Sequence, residues 1–504
     1  MMSYSNVQIG DVTVPVHPAR RPELVPKGYL KKFGDLKSPE VIAHMRWIAQ
    51  KYVIGQDICL LSHPGPLARH LVLALAELCD WEVEHLVVTK DTSESDLKQR
   101  REIFDGGVVF TDQPPVRAAI HGRILLLDGI EKAERNVLPT LNNLLENREM
   151  ALEDGRFLAT AIKRDEAGSE RLVQVHPSFR VVALGFPVPP YPGRTLDPPL
   201  RSRFQGRFIS DLSLDSLLQC IDTSEIVLED LQPVVNLYET IRLARAAASS
   251  GEGATQLAAI PSYGHGRIGH CMELLRAGES VREALARSFP LGRCLGLHAG
   301  DSGIDTEFGR KLFPSLVQSA QALCAGVREK KTMTGPSDDQ QLPQGQRLTR
   351  SQSELVHSLL QDLQIGSSVC IFGIKGSGKS HIMRACALSS PCLSWRQPLV
   401  FPLYQEMSAR DLLQHRGASR DEASGTVATA WRDSPLVVAA RRGNICVLDG
   451  IDRVDPQYLL AAARLLGDGW VDLPSGERLV SHPDFRFPTT HHSTSPGISH
   501  HIFT

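Results

Sequence analysis

A long segment occurs twice in this chain, and this repeat constrains the fold more than any other feature of the sequence. One copy begins at Ile124 (ILLLDGIEKAERNVLPTLNNLLENREMALEDGRFL) and the other begins at Ile445 (ICVLDGIDRVDPQYLLAAARLLGDGWVDLPSGERL). The copies align without a gap, eleven of their 35 positions are identical, and both contain Leu-Asp-Gly-Ile. A second landmark follows each copy, as HPSFR at His176 and HPDFR at His482. The sequence therefore predicts two versions of one module.

Each module alternates short apolar runs with stretches of helical length, which is typical of parallel strands joined by crossover helices. The predicted fold class is α/β, with two such modules in tandem. The stretch before residue 325 is rich in leucine and alanine, and the next stretch is polar and rich in Gly, Pro and Gln. The predicted boundaries are an N-terminal extension at 1–23, a first core at 24–211, a helical lid on the first module at 212–325, a linker at 326–350 and a second core at 351–487.

The strongest chemical signal is GIKGSGKS, which follows the apolar run SVCIF. The pattern G-x-x-x-x-G-K-[ST] between a strand and a helix predicts a phosphate-binding loop (P-loop). Its glycines let backbone N–H groups face an anion at the N-terminus of a helix. We expect the lysine to reach the β and γ phosphates and the last serine to bind Mg²⁺. The predicted nucleotide-binding residues are Gly373, Ile374, Lys375, Gly376, Ser377, Gly378, Lys379 and Ser380.

A second Mg²⁺ ligand is predicted at Asp449, which ends the apolar run ICVLD. A nucleoside triphosphate with magnesium, most simply ATP, is therefore the expected ligand. The next position is the usual place for a glutamate that polarises the attacking water, and here it is Gly450. Asp452 is open to two interpretations: it replaces that glutamate, or it is a solvated helix N-cap. The sequence thus predicts ATP binding and leaves hydrolysis open.

The first module has a loop of different chemistry. Aligned on glycine, HPGPLARH places Leu67, Ala68 and Arg69 where the second module has Gly378, Lys379 and Ser380, so we expect nucleotide binding there to be weak or absent. Asp128 is kept. Downstream, LRSRF contains Arg201 and Arg203, and arginines at such a position can reach the γ-phosphate of a neighbouring module. The alternative is a surface arginine pair.

The order of these motifs resembles AAA+ ATPases of the MoxR, midasin and dynein group, over about residues 7–486. The resemblance implies an ATP-dependent mitochondrial protein whose modules assemble into a ring, by self-association or with full-length family members, to act on an unidentified protein substrate. It assigns the phosphate loop to Gly373–Ser380, the magnesium aspartate to Asp449, and the trans-acting arginine to the region of Arg201 and Arg203. Asp449, Arg201 and Arg203 are accordingly the predicted catalytic residues.

One departure from the family pattern concerns the end of the chain. After Arg486 the second module continues with FPTTHHSTSPGISHHIFT, where the first continues with the apolar strand VVALG. We therefore expect the second module to be truncated, as in a shortened isoform or an incomplete gene model. It would then lack the strand between the P-loop strand and the Leu-Asp-Gly strand. We expect a disordered, His-rich tail at 488–504.

Several functions remain in competition. The leading hypothesis is an ATP-binding AAA+ protein, with ATP hydrolysis in the parent family and at least ATP binding in this shortened chain. The alternative is a non-catalytic scaffold that joins full-length rings, and a small-molecule kinase would leave the repeat and LRSRF without a role. A net charge of -2 gives no global basic field, so nucleic acid is not an expected partner. No apolar run reaches the roughly 18 residues of a membrane span.

Overall fold

Two mainly parallel sheets form the centres of the structure. The computed structural model describes residues 5–104, 107–134, 136–160, 171–221, 226–248, 264–289, 348–390, 392, 395, 397–420, 427–492 and 498–502. The chain divides into two units, each with one of these sheets. The first unit comprises Met1–Asp222, His415–Arg432 and Asp472–Arg478, and the second comprises Thr223–Gln414, Asp433–Val471 and Leu479–Thr504.

The sheet of the first unit has five parallel strands. In spatial order they are Gln205–Ile209, Ile58–Ser62, Arg180–Gly185, Ile124–Asp128 and Val83–Val87. The three central strands are mainly apolar because helices cover both faces of a parallel sheet, and their polar residues (Ser62, Arg180 and Asp128) lie at strand ends. The helices of this unit are Pro39–Ile54, Leu67–Leu78, Glu94–Leu97, Pro114–His121, Asn142–Glu146, Pro198–Arg201 and Leu214–Cys220.

Smaller antiparallel elements decorate the first unit. A hairpin joins Ser5–Ile9 to Val12–Val16, and a second joins Gln99–Phe104 to Gly107–Asp112. A third, Met150–Ala151 with Phe157–Ala159, is extended by Leu172–Gln174, which pairs parallel with Phe157–Ala159. This third hairpin lies in NREMALEDGRFL, inside the repeated segment.

The sheet of the second unit also has five strands, in the order Leu399–Pro402, Cys446–Asp449, Thr489–His492, Val369–Gly373 and Ile498–Ile502. The first four are parallel, and the last pairs antiparallel with the P-loop strand. Two short hairpins, formed by Gln414–Arg420 with Val427–Asp433 and by Trp470–Asp472 with Arg478–Val480, consist largely of residues assigned to the first unit. The helices are Leu228–Ala248, His265–Arg276, Val281–Ser288, Arg350–Ile365, Lys379–Ser389, Ala409–Leu413, Pro435–Arg442 and Pro456–Gly467.

The prediction that this sheet lacks its fourth strand is wrong. Thr489–His492 lies between the P-loop strand and the Leu-Asp-Gly strand, and pairs parallel with both. The same place in the first unit is taken by Arg180–Gly185. Because Thr489 and Thr490 are β-branched, they suit a strand despite their hydroxyls, and both are fully buried. The prediction of a disordered tail at 488–504 is therefore also wrong for Thr489–His492 and for Ile498–Ile502.

The helices predicted as a lid on the first module are divided between the units. Only Leu214–Cys220 belongs to the first unit, and the described helices from Leu228 to Ser288 belong to the second. A buried ion pair helps to hold them there, because Arg287 donates to the Asp362 carboxylate on Arg350–Ile365 and to the Ser358 carbonyl. Residues 290–347, which contain most of the predicted linker, lie outside the described residues.

The repeated HPxFR motif has a structural role in each unit. A helix ends at Gly122 in the first unit and at Gly443 in the second, both with positive φ. A Cβ at either glycine would lie within 2.4 Å of the Nδ1 of His176 or His482, respectively. The histidine therefore packs directly over the helix end, which requires glycine there.

Two further features concern the cysteines and possible membrane spans. The cysteines in the described ranges are free, and nearly all of them are buried. None of the described helices combines the length and apolar character needed to cross a bilayer.

Candidate functional site

The phosphate loop lies between the strand Val369–Gly373 and the helix Lys379–Ser389, as its motif predicts. Gly376 and Gly378 have φ values of +84° and +89°, which side chains other than glycine rarely adopt. A Cβ built on Gly376 would meet nothing within 4 Å, so the space above the loop is open. The sequence thus sets up an anion cradle at the start of a helix.

Lys379 is held inside this loop. Its side chain is 6% exposed, and its Nζ donates to the carbonyl oxygens of Gly373 and Ile374, at 2.9 Å each. Burial lowers the pKa of the Lys379 ammonium from its ordinary value, and the charges of Asp449 and Asp452 oppose that shift. A buried cation close to two carboxylates is suited to an anionic ligand that approaches with a divalent cation.

The other loop residues fit a polyphosphate. Ser377 Oγ is buried and has no hydrogen-bond partner among the described residues, so it is a donor that a phosphate oxygen would satisfy. Ser380 lies exposed in the first turn of the helix, where its hydroxyl can join a Mg²⁺ shell. Ile374 and Lys375 are exposed at the outer side of the loop. The predicted residues are therefore brought together in one loop.

Asp449 ends its strand beside the strand Thr489–His492, and sequence reasoning missed its principal partner. Thr490 Oγ1 donates to Asp449 Oδ1 at 2.6 Å and accepts from the backbone N–H of Gly450 at 3.0 Å. The hydroxyl orients the carboxylate and leaves its charge available to a cation. A signal existed, since counting on from HPSFR and HPDFR aligns Thr490 with Leu184, but the proline and polar residues of FPTTHH obscured the strand.

The turn after Asp449 disfavours any side chain in the usual glutamate position. Gly450 has a φ of +82°, and a Cβ there would lie 2.9 Å from Arg453 Nε. The N-cap hypothesis for Asp452 is wrong, because Asp452 lies within the 3₁₀ turn Ile451–Arg453, whose N-cap is Gly450. Asp452 Oδ1 instead accepts from the backbone N–H of His492 at 3.0 Å and from its Nδ1 at 3.1 Å.

The equivalent position in the first unit is occupied by an arginine and a histidine of the protein itself. Arg69 Nη1 donates to Asp128 Oδ2 at 3.3 Å, and His85 Nε2 lies 3.7 Å from the same oxygen. Asp128 is only 8% exposed. In the loop, Pro64 and Pro66 replace Lys375 and Ser377 and remove two backbone N–H donors. This geometry favours the prediction of weak or absent nucleotide binding.

The two candidate arginines of the first unit have different surroundings. Arg203 donates to the carboxylate of Glu146 and to the carbonyl of Pro199. Arg201, at the end of the helix Pro198–Arg201, is exposed, and its side chain has no protein partner among the described residues. Arg201 is therefore the better placed of the two to reach a neighbouring molecule.

A P-loop, a strand-end aspartate and a polar residue on the strand between them define a nucleotide-binding α/β module. The family model for the AAA domain (dynein-related subfamily) matches residues 57–204 and again 368–500, so the chain belongs to this family. It is 36% identical over 516 aligned positions to von Willebrand factor A domain-containing protein 8 of Mus musculus, a match that covers 95% of this chain. The chain spans 26% of the length of that relative.

Two further matches are shorter or more distant. Midasin of Giardia intestinalis is 30% identical over 113 residues, which cover 22% of this chain and 2% of that protein. The crystal structure of a proposed ATPase from Cytophaga hutchinsonii covers 44% of this chain and 67% of its own, at 16% identity and a TM-score of 0.29.

Proposed function

We propose that the second module binds MgATP and hydrolyses it as an AAA+ ATPase of the dynein, midasin and MoxR type. The observation that carries this proposal is the buried Lys379, whose ammonium donates to two neutral loop carbonyls and is acted on by the charges of Asp449 and Asp452. The β and γ phosphates of ATP would replace those carbonyls with full negative charges. Charge-assisted contacts of this kind are about twice as strong as neutral ones.

The chain's own residues supply the remaining interactions. Backbone N–H groups of the loop and Ser377 Oγ would bind the phosphate oxygens, while Ser380 and Asp449 would hold Mg²⁺. The metal, when bound, neutralises charge on the β and γ phosphates. Thr490 keeps the Asp449 carboxylate in its present orientation through their 2.6 Å hydrogen bond.

The first module acts in assembly in this proposal. The two modules derive from a tandem duplication and assemble into a ring, with further copies of this chain or with longer family members, to act on a protein substrate. Arg201 of one module would then complete a neighbour's nucleotide site, and its exposure supports that role. The mitochondrial location stays a prediction, which fractionation of cells that express the chain would test.

Measuring MgATP affinity and turnover for the wild type and for Lys379→Ala tests the proposal. The loss of a buried lysine–phosphate contact removes about 3 kcal/mol, so affinity should fall about 100-fold. Arg384→Ala is the matched control, because Arg384 is an exposed cation on the same helix and should leave affinity unchanged. Equal affinities for the wild type and Lys379→Ala would refute the proposed site.

The scaffold hypothesis is the second candidate, and Gly450 favours it. Gly450 stands where the water-polarising glutamate is usual, and its φ of +82° disfavours a side chain there. A chain that binds MgATP without turnover, and joins longer family members equally well with and without nucleotide, would support the scaffold.

A further inference from the structure

The strand Thr489–His492 brings to the phosphate loop a histidine that the first module does not supply. In the sheet, His492 is the register partner of Gly373, the last residue of the P-loop strand. Partner residues on neighbouring strands lie about 5 Å apart. His492 therefore stands at the edge of the sheet where the phosphates would lie, while the equivalent position in the first unit is Phe186.

Asp452 fixes the orientation of this imidazole. A carboxylate can only accept, so the 3.1 Å contact requires a proton on His492 Nδ1. Partial burial would raise the pKa of Asp452, but hydrogen bonds from His492 outweigh it and hold the pKa below its ordinary value. Asp452 is thus ionised at neutral pH. In the neutral imidazole the lone pair then lies on Nε2.

The pair is also accessible and close to the lysine. Each of the two side chains is 25% exposed. Within the described ranges, no protein group is hydrogen-bonded to His492 Nε2. The charge of Asp452 is felt by Lys379, which places the pair beside the loop that would hold the γ-phosphate.

We propose that His492 and Asp452 replace the missing glutamate, with His492 Nε2 as the base that activates the attacking water and Asp452 as its positioning residue. This inference rests on the proposed ATPase function. The water oxygen forms a bond to the γ-phosphorus as the bond from that phosphorus to the β–γ bridging oxygen breaks, and ADP leaves with the electron pair. The water proton passes to Nε2 and then to the released phosphate. A positioned base of this kind contributes about 10²–10⁴-fold to a rate.

Substituting His492→Gln separates this role from a structural one. A glutamine amide can still donate to Asp452 Oδ1, and so can keep the strand in place, but it cannot accept a proton. We expect single-turnover hydrolysis to fall at least 100-fold, with MgATP affinity within twofold of the wild type and thermal unfolding unchanged. Asp452→Asn, which keeps an acceptor oxygen but not the charge, should slow hydrolysis about tenfold. The control is His357→Gln, an exposed histidine on Arg350–Ile365.

A pH–rate profile provides the second readout. Lys379, on the helix Lys379–Ser389, is a charged group that interacts with Asp452 of the pair, and it also interacts with Asp449. Protonation of Nε2 removes the base, so the wild-type rate should fall at acid pH, and this acid limb should disappear in His492→Gln. A wild-type rate and an unchanged acid limb in His492→Gln would overturn the inference.

The failure of the inference can be told from the failure of the proposed function. If the wild type binds MgATP and Lys379→Ala does not, but neither turns over, the base is wrong and the binding function stands. If the wild type does not bind MgATP, both the proposed function and the assignment of His492 as the base are refuted.

Discussion

The two strand-end aspartates, Asp128 and Asp449, occupy the same place in their sheets and meet opposite surroundings. Asp128 faces the guanidinium of Arg69 and the imidazole of His85. Asp449 accepts from the neutral hydroxyl of Thr490, and the nearby Lys379 ammonium donates instead to two loop carbonyls. The first carboxylate is neutralised from within, and the second keeps its charge for a cation. The comparison teaches that an AAA module can keep its fold when a side chain of the protein, rather than a ligand, supplies the charge beside this aspartate.

Electrostatics explains why a side chain of the protein can take the place of a bound cation beside this aspartate. A carboxylate that is 8% exposed is expensive to leave unpaired, and in a nucleotide-binding module the metal pairs with it. Arg69 aligns with Ser380, so the residue that would bind the metal in one module has become the cation itself in the other. In the first module, therefore, Arg69 supplies the positive charge that pairs with Asp128.

The largest effect should follow from removing the ion pair between Arg69 and Asp128. Asp128→Ala leaves the Arg69 guanidinium buried without its carboxylate, and should lower the free energy of unfolding of the first unit by about 3 kcal/mol. MgATP affinity should not change. Urea denaturation followed beside a nucleotide-binding titration measures both quantities.

Asp449→Ala is the matched variant, and it should affect MgATP binding more than stability. It removes a Mg²⁺ ligand and should weaken MgATP binding more than tenfold, with a smaller loss of stability. If Asp128→Ala weakened nucleotide binding as much as Asp449→Ala, the first site would be functional and the comparison would fail.

The sequence predicted the site best where spacing alone decides the geometry. The loop Gly373–Ser380 and the strand ending at Asp449 follow from a motif and an apolar run. The fourth strand was missed because Pro488 and two histidines carry no apolar signal, whereas β-propensity and hydrogen bonds from the hydroxyl of Thr490 compensate in the folded sheet. The pairing of Arg69 with Asp128 could not be predicted, because it depends on side-chain reach across two elements.

The helical segment shows the same limit for domain boundaries. Its helical character is visible in the sequence, but its membership of the second unit rests on contacts such as Arg287 with Asp362, which are 75 positions apart. Periodicity reports that a helix has an apolar face and does not identify what covers that face.

Thr490→Val tests the hydrogen bond from the neutral Thr490 hydroxyl to Asp449. The substitution removes a hydrogen bond to a carboxylate and leaves the N–H of Gly450 without its acceptor, so it should cost about 2 kcal/mol of unfolding free energy. MgATP affinity should fall because the carboxylate is no longer oriented. Differential scanning calorimetry and a binding titration would show both effects.

Thr489→Val is the control for that experiment, since Thr489 is equally buried on the same strand and its hydroxyl reaches the Val369 carbonyl only at 3.5 Å. Thr489→Val should change neither the unfolding free energy nor the MgATP affinity appreciably. Equal effects of the two substitutions would mean that the strand tolerates no change, and would remove the special role of Thr490.

Gly450→Ala and Gly129→Ala compare the turns after the two aspartates. Both glycines have positive φ, at +82° and +84°, so each alanine should cost about 1 kcal/mol in its own unit. Gly450→Glu should carry the same penalty without raising ATP turnover, because its carboxylate starts from a strained backbone. A faster turnover in Gly450→Glu would show that the usual glutamate position is still usable and would weaken the case for His492.

The smallest expected effect comes from giving the loop of the first module the P-loop residues of the second. The triple variant Leu67→Gly, Ala68→Lys, Arg69→Ser restores the lysine and the hydroxyl of the first loop, yet we expect no second nucleotide per chain in a calorimetric titration. Pro64 and Pro66 still withhold two N–H donors from the cradle, and a lysine cannot replace donors that point at other phosphate oxygens. Adding Pro64→Lys and Pro66→Ser should then create measurable binding. A second nucleotide already bound by the triple variant would show that the lysine alone, rather than the backbone cradle, separates the two modules.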